Sequence, residues 1–158
     1  MGWVEDLAGT TVGLDTSPFI YYVEANPAYT AVIDPFFDAL DRGELRVVTS
    51  IVTMLETEVR PVRNGDTALV ARYDELLLHT LHIDTLDVTT AVVREATRLR
   101  ARYNLRTPDA LQIATALHAG ASAFLTNDQR LAVVPDITVL VLDALRAERT
   151  GTEQEGQG

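Results

Sequence analysis

A chain of 158 residues and 17.3 kDa, 47% hydrophobic and 23% charged, has the size and composition of one globular domain with a substantial core. It has no cysteine, which excludes disulfides, thiolate zinc sites, iron–sulfur clusters and cysteine nucleophiles, and all 13 basic residues are arginine, which excludes P-loop and Schiff-base lysine chemistry. The formal charge of −10 argues against generic coating of a polyanion, although a carboxylate cluster filled with divalent cations reverses the sign locally.

In chain order, short apolar runs alternate with helical patterns. Thr11–Asp15 reads as a first strand, followed by helices over Pro18–Glu24 and Tyr29–Arg42, the second stopping at Gly43. Leu45–Thr49 is a second strand; Ser50 then caps a helix over Ile51–Arg60, and Asp66 caps another over Thr67–His79. Leu81–Asp84 is a third strand, after which Asp87 caps a helix over Val88–Tyr103. Thr107 and Pro108, as cap and first helical residue, open a helix over Pro108–Ala119 that ends at Gly120. Ala123–Thr126 and Ile137–Leu142 are the fourth and fifth strands, and 148–158 reads as a flexible acidic tail beyond a single domain over 1–147. Strands alternating with helices point to a three-layer α/β domain with a parallel sheet. No basic and apolar leader opens the chain, and the longest charge-free stretch, Ala110–Asn127, contains Gln112, Thr115 and His118. Neither a signal peptide nor a membrane span is expected, and the default is a soluble cytoplasmic protein.

Position singles out four acids. Asp15 closes the first strand, Asp128 follows the fourth within two residues, Asp109 opens the helix before that fourth strand, and Glu56 lies in the helix after the second. In a parallel sheet, strand ends and the helix starts that follow them share one edge, where such folds place their sites. Clustered carboxylates raise one another's pKa, and hard cations such as Mg²⁺ or Mn²⁺ relieve them and suit phosphoryl displacement. The alternative is that these acids are caps and solvated faces. Glu58 competes with Glu56, but Val52 and Val59 place Glu56 on the inward stripe and Glu58 toward solvent. Arg94, Arg98 and Arg102, spaced by four, form either an RNA-phosphate stripe or a solvated face with Arg98 paired to Glu95. Phe19, Tyr21 and Tyr22 are either base-stacking or core residues, and Phe36 and Phe37 are candidates for a surface that covers a second copy or a partner's helix. His79 and His82 lack a nearby third ligand.

The segments GLDTSPFIYYVE, TSIVTMLETEV, RTPDALQIATALHAGASAFLTNDQRL and ITVLVL, in this order, resemble PIN-domain nucleases, and among them the VapC-type toxins of bacterial toxin–antitoxin pairs. PDALQIATAL followed by FLTND is the most specific piece, and the likeness covers about residues 10–145. The resemblance implies a PIN-like five-stranded parallel sheet in order 3-2-1-4-5 flanked by helices. It also implies Mg²⁺ or Mn²⁺ held by Asp15, Glu56, Asp109 and Asp128, with Thr16, Thr126 and Asn127 as supporting polar residues. The implied activity is hydrolysis of single-stranded or loop RNA to a 5′-phosphate and a 3′-hydroxyl; the implied partners are a cognate antitoxin and a second copy of the chain. Housekeeping RNA processing and a non-catalytic PIN-like binding module are the alternatives. A haloacid-dehalogenase-like phosphatase does not fit, because Ser17 stands where its second Asp belongs and there is no lysine.

Overall fold

Strands β1 (Thr11–Leu14), β2 (Arg46–Ser50), β3 (Ile83–Leu86), β4 (Ala123–Thr126) and β5 (Thr138–Val141) alternate with seven helices in the computed structural model, which describes residues 2–156. The helices are α1 (Thr16–Val23), α2 (Thr30–Asp41), α3 (Val52–Arg63), α4 (Thr67–His79), α5 (Thr90–Tyr103), α6 (Thr107–His118) and α7 (Leu142–Glu155). All strand pairs are parallel, and the sheet order is β3-β2-β1-β4-β5, as the sequence predicts. Val12 lies between Val47 and Ala123, and Gly13 between Val48 and Phe124, so β1 is buried on both faces. Successive residues of β4 divide between the faces. Ala123 and Leu125 join Phe19, Ile33, Phe36 and Phe37 of α1 and α2, while Phe124 joins Leu99 of α5 and Ile113 of α6. Three layers result.

Gly13 marks the tightest approach between sheet and helix. A Cβ there would stand 2.5 Å from Ala116 Cβ on α6 and 3.0 Å from a Phe124 ring carbon. The absent side chain lets α6, which begins at the rim with Asp109, lie directly on the central strand.

Local punctuation follows the sequence with small shifts. Asp66 caps α4 by accepting from Leu69 N–H, and Gly43 and Gly120 take positive φ after α2 and α6. Ser50 Oγ accepts from Val52 N–H at 3.2 Å, although the capping position itself falls on Ile51. At α5 the cap is Thr89 rather than Asp87, because β3 runs on to Leu86 and the helix start moves with it. At α6 the capping position is Arg106 rather than Thr107, whose hydroxyl instead accepts from Arg100 Nη1.

One expectation is overturned. Phe36 and Phe37 are 0% and 1% exposed, buried in the chain's own core, so they offer no surface to a second copy. Residues 148–155 of the expected tail are helical, as the end of α7; residues 157–158 lie outside the described residues. Pro35 explains part of the docking of α7. A proline inside α2 cannot donate to the carbonyl four residues back, Ala31, and Arg149 Nη1 donates to that carbonyl at 3.0 Å. Arg146 lies over the Tyr29 ring and donates to the Ala28 carbonyl. Among the described residues no helix is long and apolar enough to cross a membrane.

Candidate active site

The C-terminal ends of β1 and β4 bring Asp15 and Asp128 to one rim. Asp15 leaves the sheet in an extended conformation and caps α1, accepting from Thr16 N–H at 2.8 Å. Thr126, the last residue of β4 and fully buried, donates its hydroxyl to Asp15 Oδ2 at 2.7 Å and accepts from Asp128 N–H at 3.0 Å. One threonine thus ties the two strand ends together. The next residue after Asp15 reaches the third acid: Thr16 Oγ1 donates to Glu56 Oε1 at 2.9 Å. Asp109 sits in the first turn of α6, 9% exposed, where the helix dipole favours a carboxylate.

The electrostatics of the rim are uneven. Burial pushes the Asp15 carboxyl above its ordinary value; the bonds from Thr126 and Thr16 oppose this, and the charges of Asp109 and Glu56 add to it. Asp128 is moved the other way, below the usual carboxylate range, chiefly by its hydrogen bonds from Arg130. Arg130 grips Asp128 with Nε at 3.0 Å and Nη2 at 2.7 Å, and Arg106 Nε donates to Asp109 Oδ2 at 3.1 Å.

Glu58 does not face solvent. It is 9% exposed, turned toward α4, where burial and the Asp74 carboxylate push it up to about 7. Val59, expected on the inward stripe with Glu56, is 46% exposed, because α3 is covered on two sides, by the rim and by α4. Glu56 reaches Thr16 on the rim and Glu58 lies away from it, two residues or about 200° apart on the helix.

Beneath the rim lies a buried polar network with no counterpart in the sequence predictions. Gln112 Nε2 donates to Thr53 Oγ1 at 2.6 Å, and Gln112 Oε1 accepts from Ser50 N–H at 3.3 Å. Thr49 donates to the Leu14 carbonyl and shares a 2.7 Å bond with Thr53. The network joins β1, β2, α3 and α6, and so fixes the helices of Glu56 and Asp109 relative to the strand that ends at Asp15. The signal for it was a lone glutamine, one turn after Asp109, on an otherwise apolar helix face.

The remaining candidates resolve individually. Arg98 pairs with Glu95 and Asp136, Arg102 lies over the Tyr103 ring, and Arg94 is exposed on the same helix. Phe19 is core, Tyr22 stacks on Phe37 at 3.9 Å, and Tyr21 stacks on Tyr29 at 4.0 Å. Asn127 donates to both the Tyr21 and Tyr29 hydroxyls and accepts from Asp143 N–H, so it ties the β4 loop to α1 and α7. His82, at φ +71°, packs against Gly43, remote from the four acids along the chain.

The donors at the rim are all oxygens, four carboxylates and threonine hydroxyls, the set that Mg²⁺ and Mn²⁺ prefer. Among the described residues no three His, Asp or Glu side chains are grouped as a ready-made metal cage. Mg²⁺ does not require one: it commonly takes one or two carboxylates and completes its shell with waters and substrate phosphates. The buried Asp15, crowded by two further acids, is the carboxylate that a cation would relieve most. The residues fit the ion.

Residues 12–137 match the family model described as PIN domain. No curated protein sequence matches significantly. Among solved structures, VapBC2 from Rickettsia felis, bound to a DNA fragment from its promoter, is similar at a TM-score of 0.66 and 13% identity, covering 83% of this chain and 98% of that one. VapBC-5 of Mycobacterium tuberculosis, from the VapBC family of toxin–antitoxin systems, gives a TM-score of 0.55 and 21% identity, covering 84% and 98%. FitAcB from Neisseria gonorrhoeae gives 0.60 and 17%, covering 84% and 97%. At these identities the likeness is one of fold.

Proposed function

The chain belongs to the PIN domain family, and on that premise we propose that it is a metal-dependent endoribonuclease acting as the toxin of a toxin–antitoxin pair. The observation that carries the reading is Asp15: a carboxylate at the end of the central strand, pushed up by burial and by Asp109 and Glu56, and bridged by Thr126 to the loop of Asp128. Asp15, Glu56, Asp109 and Asp128 are the residues that would hold Mg²⁺ or Mn²⁺. When bound, the ion supplies Lewis-acid stabilisation of the phosphate charge and lowers the pKa of water. Thr126 and Thr16 orient Asp15 and Glu56 through single hydrogen bonds each, and Asn127 anchors the loop that presents Asp128. The reading requires no protein nucleophile: a water that the bound ion would activate is the attacking group. Sharing a fold with toxin–antitoxin proteins supports the toxin assignment, with an antitoxin that places a basic group in the acidic rim. A homodimer belongs to the same reading; the apolar surface available to it is the exposed stripe Leu55, Val59 and Val62 on α3. Cytoplasmic location and an RNA substrate complete it.

Purified protein is expected to cleave single-stranded or loop RNA with Mg²⁺ or Mn²⁺, to stop in EDTA, and to leave 5′-phosphate and 3′-hydroxyl ends. Full cleavage in EDTA, or a 2′,3′-cyclic phosphate product, refutes the mechanism. A neighbouring small protein that binds without lowering the activity refutes the antitoxin assignment.

A further inference from the structure

Two arginines occupy the acids of the rim. The Arg130 fork takes both oxygens of Asp128, and Arg106 takes Oδ2 of Asp109. Neither arginine is locked in place: their side chains are 71% and 64% exposed, and ion pairs this open are weak and readily exchanged. They border one space, since Asp128 feels Arg130 first and Arg106 at longer range, and Arg130 is held by Asp128 first and also by Asp109. Of the arginines of α5, Arg98 is engaged with Glu95 and Asp136, Arg100 with the Leu105 carbonyl and Thr107, and Arg102 with the Tyr103 ring, while Arg94 is exposed. A molecule of formal charge −10 needs cations of its own at the point where it meets a polyanion.

We propose that Arg106 and Arg130 are the substrate-phosphate ligands of this site, and that they alternate between two partners. Without a divalent cation they lie on Asp109 and Asp128; once a cation takes those carboxylates, the freed guanidiniums bind RNA phosphate oxygens. The proposal rests on the nuclease reading and names its substrate contacts. A guanidinium fork matches a carboxylate and a phosphate equally well, so the exchange replaces one bidentate pair by another. Arg130 stands two residues from Asp128 and remains beside the site after it lets go. Cation and RNA therefore assist one another: the cation frees the arginine, and RNA keeps it from returning. In the absence of RNA, the arginine and the cation compete.

Arg130→Gln tests this, since it removes the guanidinium and keeps the backbone N–H that Asp128 accepts. Binding of Mn²⁺ to RNA-free protein is read from the loss of the paramagnetic resonance signal of free Mn²⁺. The variant should bind Mn²⁺ about two- to fivefold more tightly than the parent, the range expected on removal of an exposed competing ion pair. Its KM for a single-stranded RNA oligonucleotide should rise roughly tenfold, and the slope of log KM against log salt should fall by about 0.7, the share of one phosphate contact on a single strand. Arg130→Lys, which keeps the charge, should restore most of that slope. Unchanged or weaker Mn²⁺ binding by Arg130→Gln, or an unchanged KM and salt slope, overturns the proposal. A parent protein that neither binds Mn²⁺ nor cleaves RNA with it overturns the nuclease reading instead, so the two failures are distinct.

Discussion

Glu58 and Asp74 form a buried acidic pair between α3 and α4 that the rim does not use. Among the described residues Asp74 Oδ1 is buried without a hydrogen-bond partner, and protonation of Glu58 would put a donor beside the Asp74 carboxylate. With the folded-state value near 7 and an ordinary value of 4.5, the folded protein holds the proton more tightly than the unfolded chain. Stability from this pair is therefore present below about pH 4.5, is lost as pH rises toward 7, and stays lost above it. Glu58→Gln keeps a donor and cannot ionise. It should be more stable than the parent at pH 8, by a margin on the order of 2 kcal/mol that shrinks as the pH falls and is gone below about pH 4.5. A margin independent of pH would show that the pair does not titrate. The same variant should keep its nuclease activity, whereas Glu56→Gln should lose about a hundredfold or more, because only Glu56 is bonded to the rim through Thr16. Equal losses would place both acids outside the chemistry or both within it.

At the scale of elements, the contact of β1 with α6 sets the distance between Asp15 and Asp109. Gly13→Ala would force a methyl to 2.5 Å from Ala116 Cβ, so α6 and the central strand would have to move apart. The expected cost is about 1–3 kcal/mol in denaturant unfolding, with a parallel fall in activity as α6 lifts from the strand. A neutral effect would mean that the helix tolerates the shift. Elements of this kind were largely legible in the sequence: β4 falls where its apolar run does, Asp15 follows the first strand and Asp109 lies in the first turn of α6. What was not legible depended on neighbours distant in the chain. Glu58 looked solvent-facing because helical periodicity assumes one covered side, and α3 has two. The capping position of α6 falls on Arg106 while the Thr107 hydroxyl accepts from Arg100, and Phe36 and Phe37 went to the core rather than to a surface. The end of α7 lacks apolar residues; its helix is held by Arg146 on the Ala28 carbonyl just before α2 and by Arg149 on the Ala31 carbonyl of α2, freed by Pro35.

At the scale of the whole molecule, the four acids come from segments spread between positions 15 and 128, so a cation bound among them stabilises the entire domain and not one helix. Asp109 provides the sharpest measure of that coupling. It sits in the first turn of α6, and its nearness raises the cost of charging Asp15. Among the described residues its only ion pair is to Arg106, mostly exposed and so of small weight. Asp109→Asn preserves the shape, removes one charge from a crowded rim, and should leave the metal-free protein as stable as the parent or more so. Mn²⁺ at about a hundred times its Kd should stabilise the parent by about 2.7 kcal/mol, which for a domain of this size raises Tm by roughly 5–10 °C. The variant, with one ligand fewer, should gain clearly less at the same Mn²⁺ concentration and should be nearly inactive. Paired melting curves with and without Mn²⁺ decide the matter. An equal gain in both proteins removes Asp109 from the metal site, and a metal-free variant that melts far below the parent makes Asp109 a structural acid, held for its place in the helix turn rather than for the ion.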